Sequence, residues 1–198
     1  MKKNKVQNLT FTALMAAILC IAGPIVIPIG MVPISFVNMV IYLNIILFDK
    51  KQAVTSTAVY LLIGLTGIPV FSGFSGGAGK LLGPTGGYLI GYLFLCWLAG
   101  TILEVLEKLN GKTENSDSEY QKQKTEKKSS ELRKVLALSM GTIGVYCIGT
   151  IWLMYQSNLT FVEALSVGVL PFVVFDAVKI VAAVGLGNSI KKRMRTVL

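Results

Sequence analysis

Two ionisable side chains interrupt an apolar stretch near the C-terminal end of the sequence, LPFVVFDAVKIVAAVGL. They are Asp176 and Lys179, and their spacing places them on the same face of a helix. Ionisable residues at membrane depth are costly and usually mark the path of a substrate or an ion. A carboxylate beside an ammonium group accepts from N–H groups and donates to a carbonyl, which suits a small polar ring better than a long lipid. The alternative is an ion pair that only stabilises the helix bundle.

A second acidic pair, Glu104 and Glu107, stands at the end of another apolar stretch. Two carboxylates at this spacing can carry out acid–base chemistry. Lys108 follows directly and opens a polar segment, so a solvated helix end is the simpler interpretation of the pair.

Several residue types that enzymes depend on are missing from the sequence or wrongly spaced. It contains no histidine, which excludes histidine-based nucleophilic catalysis and histidine zinc sites. Cys20, Cys96 and Cys147 lie in separate apolar stretches, which predicts small buried residues rather than a redox or metal site. The segment GGAGK lacks the spacing of a phosphate-binding loop, because Phe74 replaces its first glycine and Leu81 its serine or threonine. Nucleotide hydrolysis by this chain is therefore not predicted.

The elements that must position these residues are predicted to be membrane helices. Of the 198 residues, 53% are hydrophobic and 15% are charged, whereas about 25% are charged in soluble domains. A helix needs about 20 apolar residues to cross a bilayer. We predict an all-α integral membrane protein, a single membrane domain over residues 1–198. Its six transmembrane helices are predicted at 7–26, 33–48, 52–68, 85–107, 133–155 and 164–188.

The distribution of Lys and Arg predicts the orientation of these helices. With both termini in the cytoplasm, the cytoplasmic segments contain 17 of the 19 basic residues, as the positive-inside rule requires. The exceptions are Lys80, in an outer loop, and Lys179. The net charge of +9 therefore reflects membrane topology, and no nucleic-acid partner is predicted.

Three polar or irregular connections join the predicted helices. Residues 108–131 are polar and mixed in charge, which predicts a cytoplasmic linker between helices 4 and 5. The first outer connection, GPIVIPIGMVPIS, contains three prolines and predicts an extended loop. The second, GIPVFSGFSGGAGKLLGPTGGY, is long and rich in glycine. Because apolar side chains such as Phe71 and Phe74 are interleaved with its glycines, we predict a lid over a pocket.

Other side chains offer polar groups or close-packing surfaces whose roles the sequence leaves open. Some of the following polar tips are expected to line a cavity and others to lie at membrane interfaces: Tyr42, Asn44, Tyr60, Tyr88, Tyr92, Tyr146 and Trp152. In the first helix, Ala13 and Ala17 form a smooth stripe on which another helix can pack closely. Packing within the bundle and docking of another protein both fit that stripe.

Three segments together resemble a known family. The run GIPVFSGFSGGAGKLLGPTGGYLIGY, with PFVVFDAVK on the last helix and VPIS after the first, resembles the biotin-specific S component (BioY) of energy-coupling-factor (ECF) transporters. LLGPTGGYL-G, at residues 81–91, is the specific part of this resemblance. The sequence departs from the usual family pattern at Val37, where glutamine is usual, at Phe74 and at Phe175.

The resemblance implies an S-component-like bundle in the cell membrane that captures biotin from outside. Such a subunit is not an enzyme and carries no cofactor; biotin is its ligand. It docks onto a transmembrane coupling protein and two ATPase subunits, and Ala13 and Ala17 are implied to face the coupling protein. An S component for a different vitamin is the first alternative. The second is a lipid-acting intramembrane enzyme using Asp176 or the Glu104 and Glu107 pair.

The chemistry of biotin assigns roles to individual residues. We expect Asp176 to accept from the ureido N–H groups and Lys179 to donate to an oxygen of the ligand. The turn from Thr85 to Tyr88 begins a helix, whose amides favour an anion such as a carboxylate. Phe71 and Phe74 are expected to cover the apolar rings. The predicted substrate-binding residues are thus Asp176, Lys179, Thr85, Gly86, Gly87, Tyr88, Phe71 and Phe74.

Overall fold

Helices dominate the computed structural model, which describes residues 5–28, 32–110 and 119–197. Within these ranges the helices are α1 (Lys5–Ala22), α2 (Val37–Leu47), α3 (Lys50–Leu65), α4 (Ala78–Leu81), α5 (Gly86–Asn110), α6 (Glu119–Ser157), α7 (Phe161–Gly168) and α8 (Leu170–Val197). Two short strands, β1 (Val26–Ile27) and β2 (Ile34–Ser35), complete the described elements. A helix occupies most of each apolar stretch identified in the sequence.

The helices have the length and surface of membrane spans. Four stretches of the described chain are long and apolar enough to cross a bilayer; they are Lys5–Ala22, Gly86–Leu109, Ser129–Ser157 and Phe161–Arg193. The helices α2 and α3 are shorter, at 11 and 16 residues. Side chains on the outside of the bundle, such as Trp97, Ile143 and Val181, are apolar and more than half exposed. A continuous apolar exterior is suited to lipid, so the protein is an all-α, multi-pass membrane protein.

The helices α5 and α6 form the most extensive helix pair in the structure, and glycines let them approach. A Cβ atom added to Gly149 of α6 would lie 2.3 Å from the ring of Tyr88, and one added to Gly141 would lie 2.5 Å from Leu95. Small residues at helix interfaces permit such close backbone contact in membranes. The glycines therefore fix Tyr88 and Leu95 of α5 against α6.

The last apolar stretch is divided into two helices. Pro171 lacks an N–H group, and inside a helix its ring would collide with the carbonyl group four residues earlier. As a result α7 ends at Gly168, and α8 starts afresh with the amides of Phe172 and Val173 donating to the carbonyl oxygen of Val169 at 2.9 and 3.2 Å. This break lies close to the buried residue Asp176 of α8.

The connection between α1 and α2 is extended, which confirms the prediction from its prolines. β1 and β2 pair antiparallel, with Val26 opposite Ser35 and Ile27 opposite Ile34; residues 29–31 lie outside the described part of the chain. The segment returns towards the bundle, since Val32 and Ile34 are buried. It thereby places Ser35 at the start of α2.

The glycine-rich connection between α3 and α5 is packed at both ends. Phe71 is fully buried and meets Tyr60 edge to face, with ring centroids 5.6 Å apart. At the other end, the indole N–H of Trp152 on α6 donates to the carbonyl oxygen of Gly83 at 2.9 Å. Between these anchors Phe74 adopts a positive φ of 55° and is 74% exposed.

The polar segment at 108–131 is partly helical where it is described. Its first residues continue α5 as far as Asn110, and its last residues belong to α6, which begins at Glu119. Residues 111–118 lie outside the described ranges. The assignment of this segment as a cytoplasmic linker stays a prediction.

Candidate functional site

The carboxylate of Asp176 is the centre of a buried polar cluster. Only 3% of this residue is exposed. The hydroxyl group of Tyr146 donates to its Oδ2 atom at 2.7 Å, and the ammonium group of Lys179 donates to its Oδ1 atom at 3.1 Å. The Nδ2 atom of Asn38 lies 3.5 Å from the same Oδ1 atom. Side chains of α2, α6 and α8 thus converge on a single carboxylate.

Lys179 connects that carboxylate to the start of α2. Besides Asp176, its Nζ atom donates to the carbonyl oxygen of Ser35 at 2.9 Å. The Lys179 side chain is 11% exposed, so the charge is removed from water and compensated locally. An ammonium group has three N–H donors. Two are used by acceptors among the described residues, and the third can serve an oxygen of a ligand.

A cavity of about 40 Å³ opens beside this cluster. Asp176, Lys179, Asn38 and Ser35 contribute its charged and polar side. Four tyrosines that the sequence could not assign also line it: Tyr42, Tyr88, Tyr92 and Tyr146. The remaining wall is mainly apolar: Val32, Pro33, Leu95, Val145 and Phe172. This mixture of apolar walls and a few polar groups on one side is typical of sites for small ligands.

A second cavity of about 30 Å³ adjoins the first and shares part of its wall with it. The shared residues are Val32, Pro33, Ser35, Tyr88 and Tyr92. The second cavity adds Tyr60, Ser72 and Thr85 to the lining. Together the two cavities run from the Asp176 cluster towards the N-terminal end of α5.

The predicted turn at the start of α5 meets the cavities only in part. Thr85 lines the second cavity and Tyr88 lines both. The amide of Gly86 donates to the carbonyl oxygen of Gly83 at 3.0 Å, and that of Tyr88 to Thr85 at 3.2 Å. A Cβ atom added to Gly87 would lie 2.3 Å from the Cβ atom of Trp152. The glycine at 87 therefore permits close packing of α5 on α6.

The two predicted covering aromatics occupy very different surroundings. Phe71 is buried against Tyr60 and Gly64, whereas Phe74 is mostly exposed. Neither is among the residues that line the two cavities described above. Their assignment as a cover for the ligand stays a prediction.

Asn38 and Thr142 also line the first cavity, and neither was predicted from the sequence. The hydroxyl groups of Thr142 and Tyr42 lie 2.8 Å apart in a buried hydrogen bond. Asn38 follows the VPIS segment by three positions, which is the nearest sequence signal for it. Its Oδ1 atom is buried and has no hydrogen-bond partner within the described chain.

The alanine stripe of α1 faces away from the bundle. Ala13 and Ala17 are exposed, whereas Met15, Ala16 and Leu19 of the same helix are buried. Packing of the stripe within the bundle is therefore not what the structure shows. The stripe is available to lipid or to another protein.

The second acidic pair lies near the other end of α5. Glu104 forms an ion pair with Lys50 at 2.8 Å, and its side chain is 46% exposed. Glu107 lines a separate polar cleft with Glu104, Lys134 and Lys191. Within the described residues, no group of three His, Cys, Asp or Glu side chains could hold a metal ion. The geometry of Glu104 is that of a solvated ion pair.

Comparisons with known proteins agree over nearly the whole chain. The model of the BioY family matches residues 1–196. A biotin transporter BioY of Lactococcus lactis is 33% identical over 192 residues, which cover 96% of this chain and 93% of the relative. The biotin transporter BioY of Thermotoga maritima is 29% identical over 187 residues, covering 94% and 96%. The crystal structure of the S-component for biotin from an ECF-type ABC transporter superposes with a TM-score of 0.80 at 31% identity, covering 97% of this chain and 94% of the other.

Proposed function

The chain belongs to the BioY family, and on that premise we propose that it is the S component that binds biotin for an ECF-type ABC transporter. One observation carries the proposal. A chain that matches a biotin S component over 97% of its length holds a buried carboxylate and ammonium pair at the wall of a largely apolar cavity. This is a substrate-binding subunit and not an enzyme, so it returns its ligand unchanged.

The polar ring of biotin is complementary to the Asp176 cluster. The ureido group has two N–H donors and one carbonyl acceptor. Asp176 accepts from a ureido N–H, and the remaining N–H of Lys179 donates to an oxygen of the ligand. The thioether ring and the methylene chain then lie against Leu95, Val145 and Phe172, which line the same cavity. The free energy of binding comes from burial of this apolar surface, and the polar groups determine orientation.

The carboxylate of biotin extends into the second cavity. Thr85 lines that cavity immediately before α5 begins at Gly86. The N-terminus of a long helix favours a negative charge through the helix dipole, although the amides of Gly86 and Tyr88 already donate to backbone carbonyl oxygens. A ligand with a polar ring at one end and a carboxylate at the other therefore spans the two cavities. Phe71 and Phe74 would cover the ligand after the glycine-rich connection between α3 and α5 changes conformation.

The distribution of basic residues supports the membrane arrangement that we propose. All six predicted spans cross the cell membrane, with α2 and α3 completing the bundle despite their length. Both termini lie in the cytoplasm, and the two cavities open towards the outside. A transmembrane coupling protein and two ATPase subunits form the ECF module. Ala13 and Ala17 provide the surface on which the coupling protein docks, because this stripe is exposed and small residues let two helices approach closely.

Binding of labelled biotin to the purified protein in detergent tests the proposal. Unlabelled biotin, thiamine and riboflavin serve as competitors. We expect saturable binding that biotin alone displaces, and its loss in Asp176→Asn and Lys179→Met. Glu104→Gln is the matched control, since it alters an acidic residue that lines neither cavity. Absence of binding by a folded wild-type sample would refute biotin as the ligand. Full affinity in both site variants would refute the site.

A further inference from the structure

In the side-chain amide of Asn38, the nitrogen has a hydrogen-bond partner, whereas the oxygen has none among the described residues. The residue lies at the second position of α2 and lines the cavity beside Asp176. Its Nδ2 atom is 3.5 Å from the Oδ1 atom of Asp176. Its own Oδ1 atom is buried and has no partner in the described part of the chain. Buried polar atoms without a partner are rare in proteins, so each one calls for an explanation.

Electrostatics fixes which way round this amide lies. The groups around an asparagine amide determine which side its oxygen and its nitrogen occupy. If the Asn38 amide were reversed, its carbonyl oxygen would face the carboxylate of Asp176, and two acceptors would be in contact. The NH₂ group therefore faces Asp176, and the acceptor is left for something else that occupies the cavity.

The carboxylate of Asp176 has too few free lone pairs to accept both N–H groups of a cyclic urea, so a second acceptor is needed. A carboxylate offers about four lone-pair positions. Tyr146, Lys179 and Asn38 already direct donors at it, which leaves about one position for a ligand. A cyclic urea presents two N–H donors. Asp176 alone cannot accept both without giving up a protein partner.

Several other acceptors near Asp176 already have a donor. The carbonyl oxygen of Ser35 accepts from Lys179 at 2.9 Å, and its hydroxyl oxygen accepts from the amide of Val37 at 3.1 Å. The hydroxyl group of Thr142 donates to the carbonyl oxygen of Leu138 and is paired with Tyr42. Of the buried side-chain oxygens that lack a partner among the described residues, only the Oδ1 atom of Asn38 belongs to a residue that lines the first cavity.

We propose that Asn38 is a direct ligand-binding residue whose Oδ1 atom accepts one ureido N–H while Asp176 accepts the other. Its Nδ2 atom meanwhile holds the Asp176 carboxylate in position. The inference rests on the proposed function and extends it, because it makes the site selective for a cyclic urea with both nitrogens unsubstituted. A ligand that lacks one N–H leaves either Asn38 or Asp176 without its donor.

The test combines variants of Asn38 with two biotin analogues, each methylated at one of the two ureido nitrogens. In the wild type, we expect each analogue to bind about 10-fold or more weakly than biotin, since each loses one buried hydrogen bond. In Asn38→Ala, we expect biotin to bind about 10-fold more weakly. The analogue methylated at the nitrogen that faces position 38 should then bind this variant as well as biotin does, because the variant lacks the acceptor for that N–H. The other analogue should keep its penalty.

Asn44→Ala is the matched control. Asn44 lies on the same helix and also has a buried Oδ1 atom without a partner in the described chain, but it does not line either cavity. Its variant should retain both methylation penalties, measured per folded molecule. If Asn38→Ala does not fold, Asn38→Ser replaces it, because its shorter side chain also fails to reach the ligand.

The outcomes separate this inference from the proposed function. Loss of the penalty for one analogue in the Asn38 variant supports the direct contact, since a purely structural role would weaken all three ligands equally. Persistence of both penalties, with biotin affinity unchanged, overturns the role of Asn38 while leaving biotin as the ligand. Failure of the wild type to bind biotin overturns both.

Discussion

The ammonium group of Lys179 lies 2.9 Å from the carbonyl oxygen of Ser35, across 144 positions of sequence. This contact joins α8 to the end of the β1–β2 connection. Because the same ammonium group also pairs with Asp176, the connection that forms one wall of the cavity is tied to the charged centre of the site. The position of the Asp176 carboxylate and the position of this connection are therefore coupled through one side chain.

Replacing Lys179 by methionine should affect both binding and stability. The substitution keeps the length of the side chain but leaves the Asp176 carboxylate buried without its cation. Breaking a buried ion pair from one side costs about 3–5 kcal/mol. We expect loss of measurable biotin binding and a lower midpoint of thermal unfolding in detergent. Lys179→Arg should recover more stability than Lys179→Met. Unchanged unfolding in the methionine variant would contradict the coupling described above.

Removing the hydroxyl group of Tyr146 should weaken binding without unfolding the protein. Tyr146→Phe keeps the ring but deletes the 2.7 Å hydrogen bond to Oδ2 of Asp176. Hydrogen bonds to charged groups contribute about 1.5–3 kcal/mol, so we expect biotin affinity to fall by about 10- to 100-fold. Isothermal titration calorimetry measures the change.

Tyr155→Phe is the control for that experiment. Tyr155 belongs to the same helix but is 86% exposed, so its variant should bind biotin like the wild type. Equal affinities for the Tyr146 and Tyr155 variants would show that the hydroxyl of Tyr146 does not position Asp176.

A methyl group at position 87 should destabilise the contact between α5 and α6. The added Cβ atom would lie 2.3 Å from the Cβ atom of Trp152, and neither backbone can move freely. Overpacking of this kind costs about 1–3 kcal/mol, so Gly87→Ala should lower the midpoint of thermal unfolding. At Gly185 of α8 an added Cβ atom meets nothing within 4 Å. Gly185→Ala should therefore match or exceed wild-type stability, and equal destabilisation of both variants would rule out the steric explanation.

Enlarging the alanine stripe of α1 should separate biotin binding from transport. Ala13 and Ala17 are exposed and line neither cavity. We expect Ala13→Leu and Ala17→Leu to bind biotin normally in detergent. Co-purification with the coupling protein and the ATPase subunits, and biotin uptake by cells, should both be lost.

The control for the stripe is Ala177→Leu, on the exposed side of α8. It adds the same volume at a lipid-facing position and should leave both co-purification and uptake intact. Normal uptake by the α1 variants would refute docking at this stripe.

The sequence predicted the positions of the helices along the chain better than their mutual orientation. Apolar length predicted helices in the stretches where the structure has them, and four of these are long and apolar enough to cross a membrane. The spacing of Asp176 and Lys179 predicted one face of a helix, and in the structure both residues line the first cavity. The other side chains that face that cavity were not predictable. Lipid and protein interior are both apolar, so the inward face of a membrane helix does not differ in hydrophobicity from its outward face. Tyr146 and Asn38 approach Asp176 from α6 and α2, and only the packing of those helices reveals it.

The glycine-rich connection shows a second limit of sequence patterns. Phe71 and Phe74 are three residues apart in the same loop, and the sequence pattern predicts the same role for both. In the structure Phe71 fills the space left by Gly64, whereas the backbone of Phe74 takes a positive φ and turns its side chain outwards. The distinction arises from the turn geometry between them, which depends on Gly73 with its φ of 70°.

The contact between Trp152 and Gly83 gives the protein an internal optical probe. The sequence contains two tryptophans; Trp97 is 52% exposed on the outside of the bundle, and the indole N–H of Trp152 is bonded to the glycine-rich connection. In a Trp97→Phe background all indole emission comes from Trp152. Displacement of the connection would break its hydrogen bond and shift the emission wavelength. Stopped-flow fluorescence would therefore report any movement of this connection on addition of biotin, without attachment of a dye.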